Sequence, residues 1–192
     1  MRQIIVVGGG AAGMMAAVAA AEAGAAVTLL EKNEKLGKKI YITGKGRCNL
    51  TNAAPMREVQ AQVVSNPRFL YSAFRALTNE DVMRFFERAG CPLKTERGER
   101  VFPVSDHASD VIRALEREMQ AKGVRVRLNT EVRDLLFSGE AGARSVTGVL
   151  LANGDKLSAD AVILATGGLS YPATGSTGDG YRFAEAAGMT LT

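Results

Sequence analysis

Residues 4–13 read Ile4-Ile5-Val6-Val7-Gly8-Gly9-Gly10-Ala11-Ala12-Gly13, and an alanine-rich run then leads to Val27-Thr28-Leu29-Leu30-Glu31. The continuous apolar start predicts a buried parallel strand over residues 3–7. The glycines predict a tight turn, Ala11 to Ala23 a helix closed by Gly24, and Val27 to Leu30 a second parallel strand. Strand, glycine turn, helix and a strand ending in a carboxylate make a dinucleotide-binding βαβ unit. Gly8 permits the sharp exit from the strand, Gly10 removes a side chain where backbone approaches a pyrophosphate, and Gly13 lets helix and sheet pack closely. The helix aims its free N–H groups and positive dipole end at the diphosphate. Glu31, 18 residues after Gly13, stands where a carboxylate accepts hydrogen bonds from ribose hydroxyls.

Glycine runs occur in many loops, so the context carries this reading. Gln3 to Ala21 holds no charged residue and follows Met1-Arg2, the outline of a leader or a membrane span. Four glycines near its start, and its direct continuation into a strand, argue against both. No other apolar run is long enough to cross a bilayer, so a cytoplasmic protein without a membrane partner is expected.

The 192 residues suffice for one substantial domain, and 46% hydrophobic with 23% charged residues is a globular composition. A net charge of +4 suits an anionic ligand as well as nucleic acid. No window interleaves basic and aromatic residues and tryptophan is absent, so nucleic acid is not expected as a partner. Cys48 and Cys91 stand far apart beside a single histidine, His107, which argues against a zinc site or a disulfide framework.

Further along, Lys32 to Asn52 loses both periodicities and carries six basic residues against Glu34. Composition alone makes this a solvated basic loop. Its place after Glu31 suggests instead that Thr43-Gly44-Lys45-Gly46-Arg47 presents backbone N–H groups and two cations to a diphosphate or an anionic ring edge. Pro55 to Leu77 predicts one or two short helices broken near Asn66-Pro67, and Thr78 caps another in which Phe85 and Phe86 belong to the core. Leu93–Glu96 and Arg100–Pro103 predict a hairpin around Arg97-Gly98-Glu99. His107 reads as a capping or surface residue before an amphipathic helix from Asp110 to Lys122. A strand at Val124 to Leu128 and β-rich sequence from Glu131 to Leu157 follow, with Asn153-Gly154 as a type I′ turn. Asp160 to Ala165 is a further parallel strand whose Thr166-Gly167-Gly168 turn falls at the sheet edge of the first glycine turn. In the glycine- and serine-rich stretch after it, Asp179 and neighbouring hydroxyls are suited to cap a helix from Tyr181 to Ala187.

Four segments together, VVGGGAAGMMAA, LLEKNEKLGKKIYITGKGRCNLTN, VRLNTEVRDL and ILATGGLSYPATGSTGDGY, resemble the BaiN-like (YhiN-like) flavoproteins. These are NAD(P)/FAD-dependent oxidoreductases of the aminoacetone oxidase type, within the glutathione-reductase-like superfamily. The resemblance spans essentially the whole chain. It implies an α/β fold: a Rossmann-like FAD-binding domain with a parallel sheet, a β-meander and a helical insertion. It implies that FAD fills the site. Gly8, Gly10, Ala12 and Gly13 would hold the pyrophosphate, and Glu31 the adenosine ribose with Lys32 nearby. Thr43, Gly46, Arg47, Cys48 and Asn49 would line the flavin side. The backbone of Val132 would meet the adenine, and Thr166-Gly167 would close over the cofactor. Cys48, with no second thiol near it in sequence, is expected to pack rather than to react. Members are about twice as long, so residues 1–192 are expected to lack the inserted substrate domain and the closing C-terminal segment, with Leu191-Thr192 opening a next strand.

The expected function is the FAD-binding portion of a flavin oxidoreductase, passing hydride from NAD(P)H through flavin to a small-molecule acceptor or oxygen. The alternatives are an NAD-dependent dehydrogenase, since Glu31 suits an unphosphorylated ribose equally well, and a non-catalytic nucleotide-binding fragment. No side chain is assigned an acid–base role.

Overall fold

The computed structural model describes residues 1–140 and 144–191. In chain order the elements are β1 (Gln3–Val7), α1 (Ala11–Glu22), β2 (Ala26–Leu30), β3 (Thr51–Asn52), α2 (Met56–Ala61), α3 (Tyr71–Ala76), α4 (Asn79–Arg88), β4 (Leu93–Glu96) and β5 (Arg100–Pro103). There follow α5 (Ala108–Ala121), β6 (Arg125–Arg127), β7 (Val132–Ser138), β8 (Ser145–Leu151), β9 (Lys156–Ser158), β10 (Ala161–Leu164) and α6 (Asp179–Ala186). The chain forms two compact units, Met1–Lys39 with Glu116–Thr192 and Ile40–Leu115.

The first unit is built on a parallel sheet of order β10-β1-β2-β6. Side chains alternate between its faces. Ile5, Val7 and Leu30 join Val132, Val149 and Leu151 of the antiparallel β7-β8-β9 meander and Phe183 of α6 in one core. Val6 and Leu29, on the alternate positions, are fully buried as well. In register, Val7 pairs with Leu30 on one side and Leu164 on the other, so β1, β2 and β10 end level with one another. That shared edge is where a doubly wound sheet binds ligands.

Three expectations are corrected here. The sequence of α1, apolar on nearly every face, predicts a helix covered on both sides. Only Gly13, Met14, Ala17 and Val18 are buried, and Ala11, Ala12 and Ala19 are exposed. Alanine favours the helix through its small entropy loss and does not demand burial. Asn153-Gly154 does not form a two-residue type I′ turn. The Gly154 N–H donates to the Leu151 carbonyl at 3.0 Å, and only Gly154 of the pair has positive φ, +92°. The loop is thus three residues long, closing on a glycine bulge, with the Asn153 side chain accepting the Asp155 N–H at 3.0 Å. Leu191 lies outside any strand, and Thr192 of the expected strand opening lies outside the described residues, as do residues 141–143 of the meander.

The second unit holds the β3-β5-β4 sheet and the helices α2, α3 and α4. Thr78 caps α4 reciprocally, its hydroxyl accepting the Asp81 N–H at 3.0 Å and its own N–H donating to Asp81 at 2.9 Å. Phe86 is buried, as expected, with Phe85 edge-on at 5.1 Å. The buried Asn79 donates to the carbonyls of Asn52 and Ala54 at 2.7 and 2.8 Å, which fixes the two-residue strand β3. No helix among the described residues is long and apolar enough to cross a membrane.

Candidate functional site

The glycine turn sits between the ends of β1 and α1 in the first unit. Gly8 leaves β1 at φ +108°, and a Cβ there would lie 2.4 Å from the Ala165 carbonyl oxygen. A Cβ at Gly13 would lie 1.8 Å from the Gly8 carbonyl oxygen. These glycines are therefore required by packing of the turn against itself and against Ala165, just after β10. Gly10 is different, since a Cβ there would meet nothing within 4 Å. It is the N-cap of α1, with no side-chain cap and no acidic residue in the first turn. The positive end of the helix, beside exposed Ala11 and Ala12, is thus left for an external anion.

Glu31 directly follows β2 and is 8% exposed. Its Oε2 accepts the Gly9 N–H at 2.6 Å, while Oε1 accepts the Asn33 N–H at 2.8 Å and the Asn33 amide at 2.6 Å. A carboxylate with each oxygen so engaged is fixed in orientation and still has one lone pair, on Oε2, for a hydroxyl donor. The Thr130 and Asn129 N–H groups bond the carbonyls of Glu31 and Asn33, bringing the start of β7 alongside. Val132 is buried there, paired with Leu151.

Asn33 and Lys32 also hold the stretch before α6. Asn33 donates to the Thr174 carbonyl at 3.3 Å. The Lys32 ammonium donates to Thr177 at 2.7 Å and to Asp179 at 2.8 Å. Burial raises the Asp179 carboxyl, but the hydrogen bonds from Lys32 and Thr177 outweigh it and leave the group below the usual carboxylate range. Asp179 therefore does not cap α6 as expected. The N-cap is Gly178 at φ +85°, which has no side chain to cap with, and Asp179 is the first residue of α6, its carboxylate on Lys32. Thr166 follows β10 with its hydroxyl directed loosely at the Gly167 carbonyl, 3.5 Å away.

The expected flavin-side residues lie in the second unit. Thr43 donates to the Ile40 carbonyl at 2.8 Å, and Gly44, Lys45 and Gly46 all have positive φ. The loop turns back on itself, so the N–H groups of Arg47 and Cys48 bond the Gly44 and Thr43 carbonyls. Arg47 stacks 4.2 Å above the Phe102 ring and pairs with Glu96 and Asp106. Lys94 also pairs with Asp106, at 2.6 Å. The Lys94 and Arg47 bonds hold the Asp106 carboxyl below its ordinary range, and those from Arg47 and Lys94 do so for Glu96. The Arg47 charge is thus compensated within the unit. Cys48 is buried, and burial pushes its thiol up despite a bond with Thr43, the reverse of a reactive thiolate. Asn49, with its amide nitrogen turned inward, donates to the Thr51 and Val101 carbonyls at 3.0 and 3.1 Å.

Sequence reasoning placed Gly8, Gly10, Ala12, Gly13, Glu31, Lys32, Val132, Thr166 and Gly167 in what proves to be the first unit. It missed Asn33 and Thr177. Only the adjacency of Asn33 to Glu31 could have hinted at the first, and nothing local at the second.

Residues 2–192 match the HI0933-like protein Rossmann domain. The chain is 37% identical over 168 residues to the 3-dehydro-bile acid delta(4,6)-reductase of Clostridium scindens, a match covering 88% of this chain and 39% of that protein. It is 33% identical over 170 residues to the ribosomal RNA dihydrouridine synthase of Escherichia coli, covering 88% and 40% respectively. The chain thus spans less than half the length of these curated relatives. A flavocytochrome c3 fumarate reductase in its open conformation matches with TM-score 0.65 at 25% identity, over 96% of this chain and 40% of that one. The Rossmann-type FAD-binding fold read from the sequence is the fold found, and the chain belongs to the HI0933-like Rossmann-domain family, in line with the BaiN-like resemblance of its motifs.

Proposed function

We propose that the first unit binds FAD at the glycine turn and that the chain is the FAD-binding portion of a cytoplasmic flavin-dependent oxidoreductase. The observation that carries this reading is the uncapped start of α1 above Gly10, open to an anion, beside the fixed Glu31 carboxylate. The Gly8–Gly13 turn and the Ala12 backbone would hold the diphosphate. Glu31 would accept from the ribose hydroxyls, with Lys32 nearby, and the Val132 backbone would face the adenine. Thr166 and Gly167 would close over the cofactor. The flavin-side role of Thr43, Gly46, Arg47, Cys48 and Asn49 rests on the family resemblance alone. Bound FAD would supply the two-electron chemistry, from NAD(P)H to a small-molecule acceptor or oxygen. A small-molecule acceptor, rather than RNA, follows the bile-acid reductase, the more similar of the two relatives compared.

Titration of the purified chain with FAD and with NAD, followed by flavin fluorescence and calorimetry, tests the reading. Saturable FAD binding in preference to NAD is expected. Binding of NAD alone would point to a nicotinamide dehydrogenase, and binding of neither would sink the proposal.

A further inference from the structure

Of the basic residues between Lys32 and Arg47, several are committed. Lys32 pairs with Asp179, Lys38 with Glu34, and Arg47 with Glu96 and Asp106. Lys39 is half-buried yet makes no hydrogen bond or ion pair among the described residues. A cation withdrawn from water without a counter-charge is costly, and such groups are ordinarily paired. Its ammonium lies 3.9 Å from the point a Cβ of Gly167 would occupy.

The same point is 2.6 Å from the hydroxyl oxygen of Ser176. Ser176 is 6% exposed, and its side chain has no hydrogen-bond partner among the described residues. No fully enclosed side-chain polar atom there lacks a partner, so this hydroxyl borders open space. Buried hydroxyls are ordinarily bonded. An unpaired ammonium and an unbonded hydroxyl therefore converge on a glycine at φ +76°, where no side chain intervenes. Gly167 follows Thr166, whose Cα is 3.1 Å from the Cβ position of Gly8, which places this cluster beside the glycine turn.

We propose that Lys39, Ser176 and Gly167 form an anion subsite that takes a diphosphate oxygen of the bound dinucleotide. The inference rests on the dinucleotide reading above and adds the cation which the glycine turn itself does not contain. Lys39 supplies a charge-assisted bond, Ser176 a hydroxyl donor, and Gly167 the room for the oxygen to approach.

FAD titrations of the wild-type chain and of Lys39→Gln, Lys39→Arg and Ser176→Ala, each at low and high salt with a parallel urea melt, test this. Lys39→Gln is expected to weaken FAD binding about tenfold at low salt, the loss of one charge-assisted bond. The deficit should shrink at high salt, Lys39→Arg should retain most of the affinity, and Ser176→Ala should lose about threefold. Stability of Lys39→Gln should equal or exceed that of wild type, because an uncompensated charge is removed. FAD affinity of Lys39→Gln within about twofold of wild type would overturn the subsite while leaving the flavin reading intact. So would a salt-independent loss accompanied by lower stability. A wild-type chain that binds no FAD would overturn both.

Discussion

The Glu31 carboxylate accepts the Gly9 N–H at 2.6 Å, so the acid that follows β2 holds the glycine turn that follows β1. All three hydrogen-bond partners of this carboxylate among the described residues are donors, the Gly9 N–H and both nitrogens of Asn33. Glu31→Gln turns an amide NH2 toward one of them. The buried donor left without an acceptor costs about 1–3 kcal/mol, and a lower urea midpoint than wild type is expected. If Glu31 served only the ligand, the substitution would leave the midpoint where it was.

The glycines of the turn separate packing from binding. Gly13→Ala drives a Cβ to within 1.8 Å of the Gly8 carbonyl oxygen, a backbone atom that cannot move aside cheaply. A loss of about 3 kcal/mol or more is expected. Gly10→Ala meets nothing within 4 Å and keeps an extended φ of −83°, so it should cost about 1 kcal/mol or less. The same variant should nevertheless lose most FAD binding, because its methyl enters the ligand's approach. Paired thermal melts and FAD titrations check both halves.

Arg47 serves as a structural hub by its contacts, forked onto Glu96 and Asp106 and stacked on Phe102. Arg47→Lys keeps the charge but loses the planar fork and the stack. A lower urea midpoint, with faster amide exchange in the β4–β5 hairpin, is expected. Unchanged exchange there would refute the hub.

Asp81 titrates at about 2, below its ordinary 3.8, because the Thr78 hydroxyl and N–H and then Arg84 favour its charged form. A depressed folded value means that the unfolded chain binds more protons within this window. The stabilisation is therefore complete above pH 3.8 and fades as pH falls toward 2. Carboxyl NMR of Asp81 should report the low midpoint, and Asp81→Asn should remove this residue's share of the acid sensitivity of α4. A midpoint near the ordinary value would show that the cap is not formed in solution.

Much of the first unit was legible because its signals are local. The β-branched run at Ile4–Val7, the helix after Gly10 and the strand before Glu31 each declare themselves within a few residues. What stayed hidden depends on partners far along the chain. Thr51–Asn52 becomes a strand only because Val101 and Arg100 pair with it. Asp179 opens its helix instead of capping it, its carboxylate held by Lys32, 147 positions away. The pairing of Arg47 with Glu96 and Asp106 was hidden because neither carboxylate is near it in sequence. Lys32 and Lys39 look alike in a basic loop, and only the fold shows that Lys32 has a carboxylate partner while Lys39 has none among the described residues.

The three atoms nearest a Cβ at Gly8 all belong to the main chain of Ala165 and Thr166. Changes of residue type at 165 or 166 therefore give no relief to a larger residue at position 8. The rim of the cleft is cast in the path of the polypeptide itself, so mutation cannot gradually reshape it. Variation in what such a domain does must enter through the attachments around that rim, where the Lys32 ammonium bonds Asp179 and the Asn33 amide bonds the Thr174 carbonyl, contacts that single substitutions can exchange.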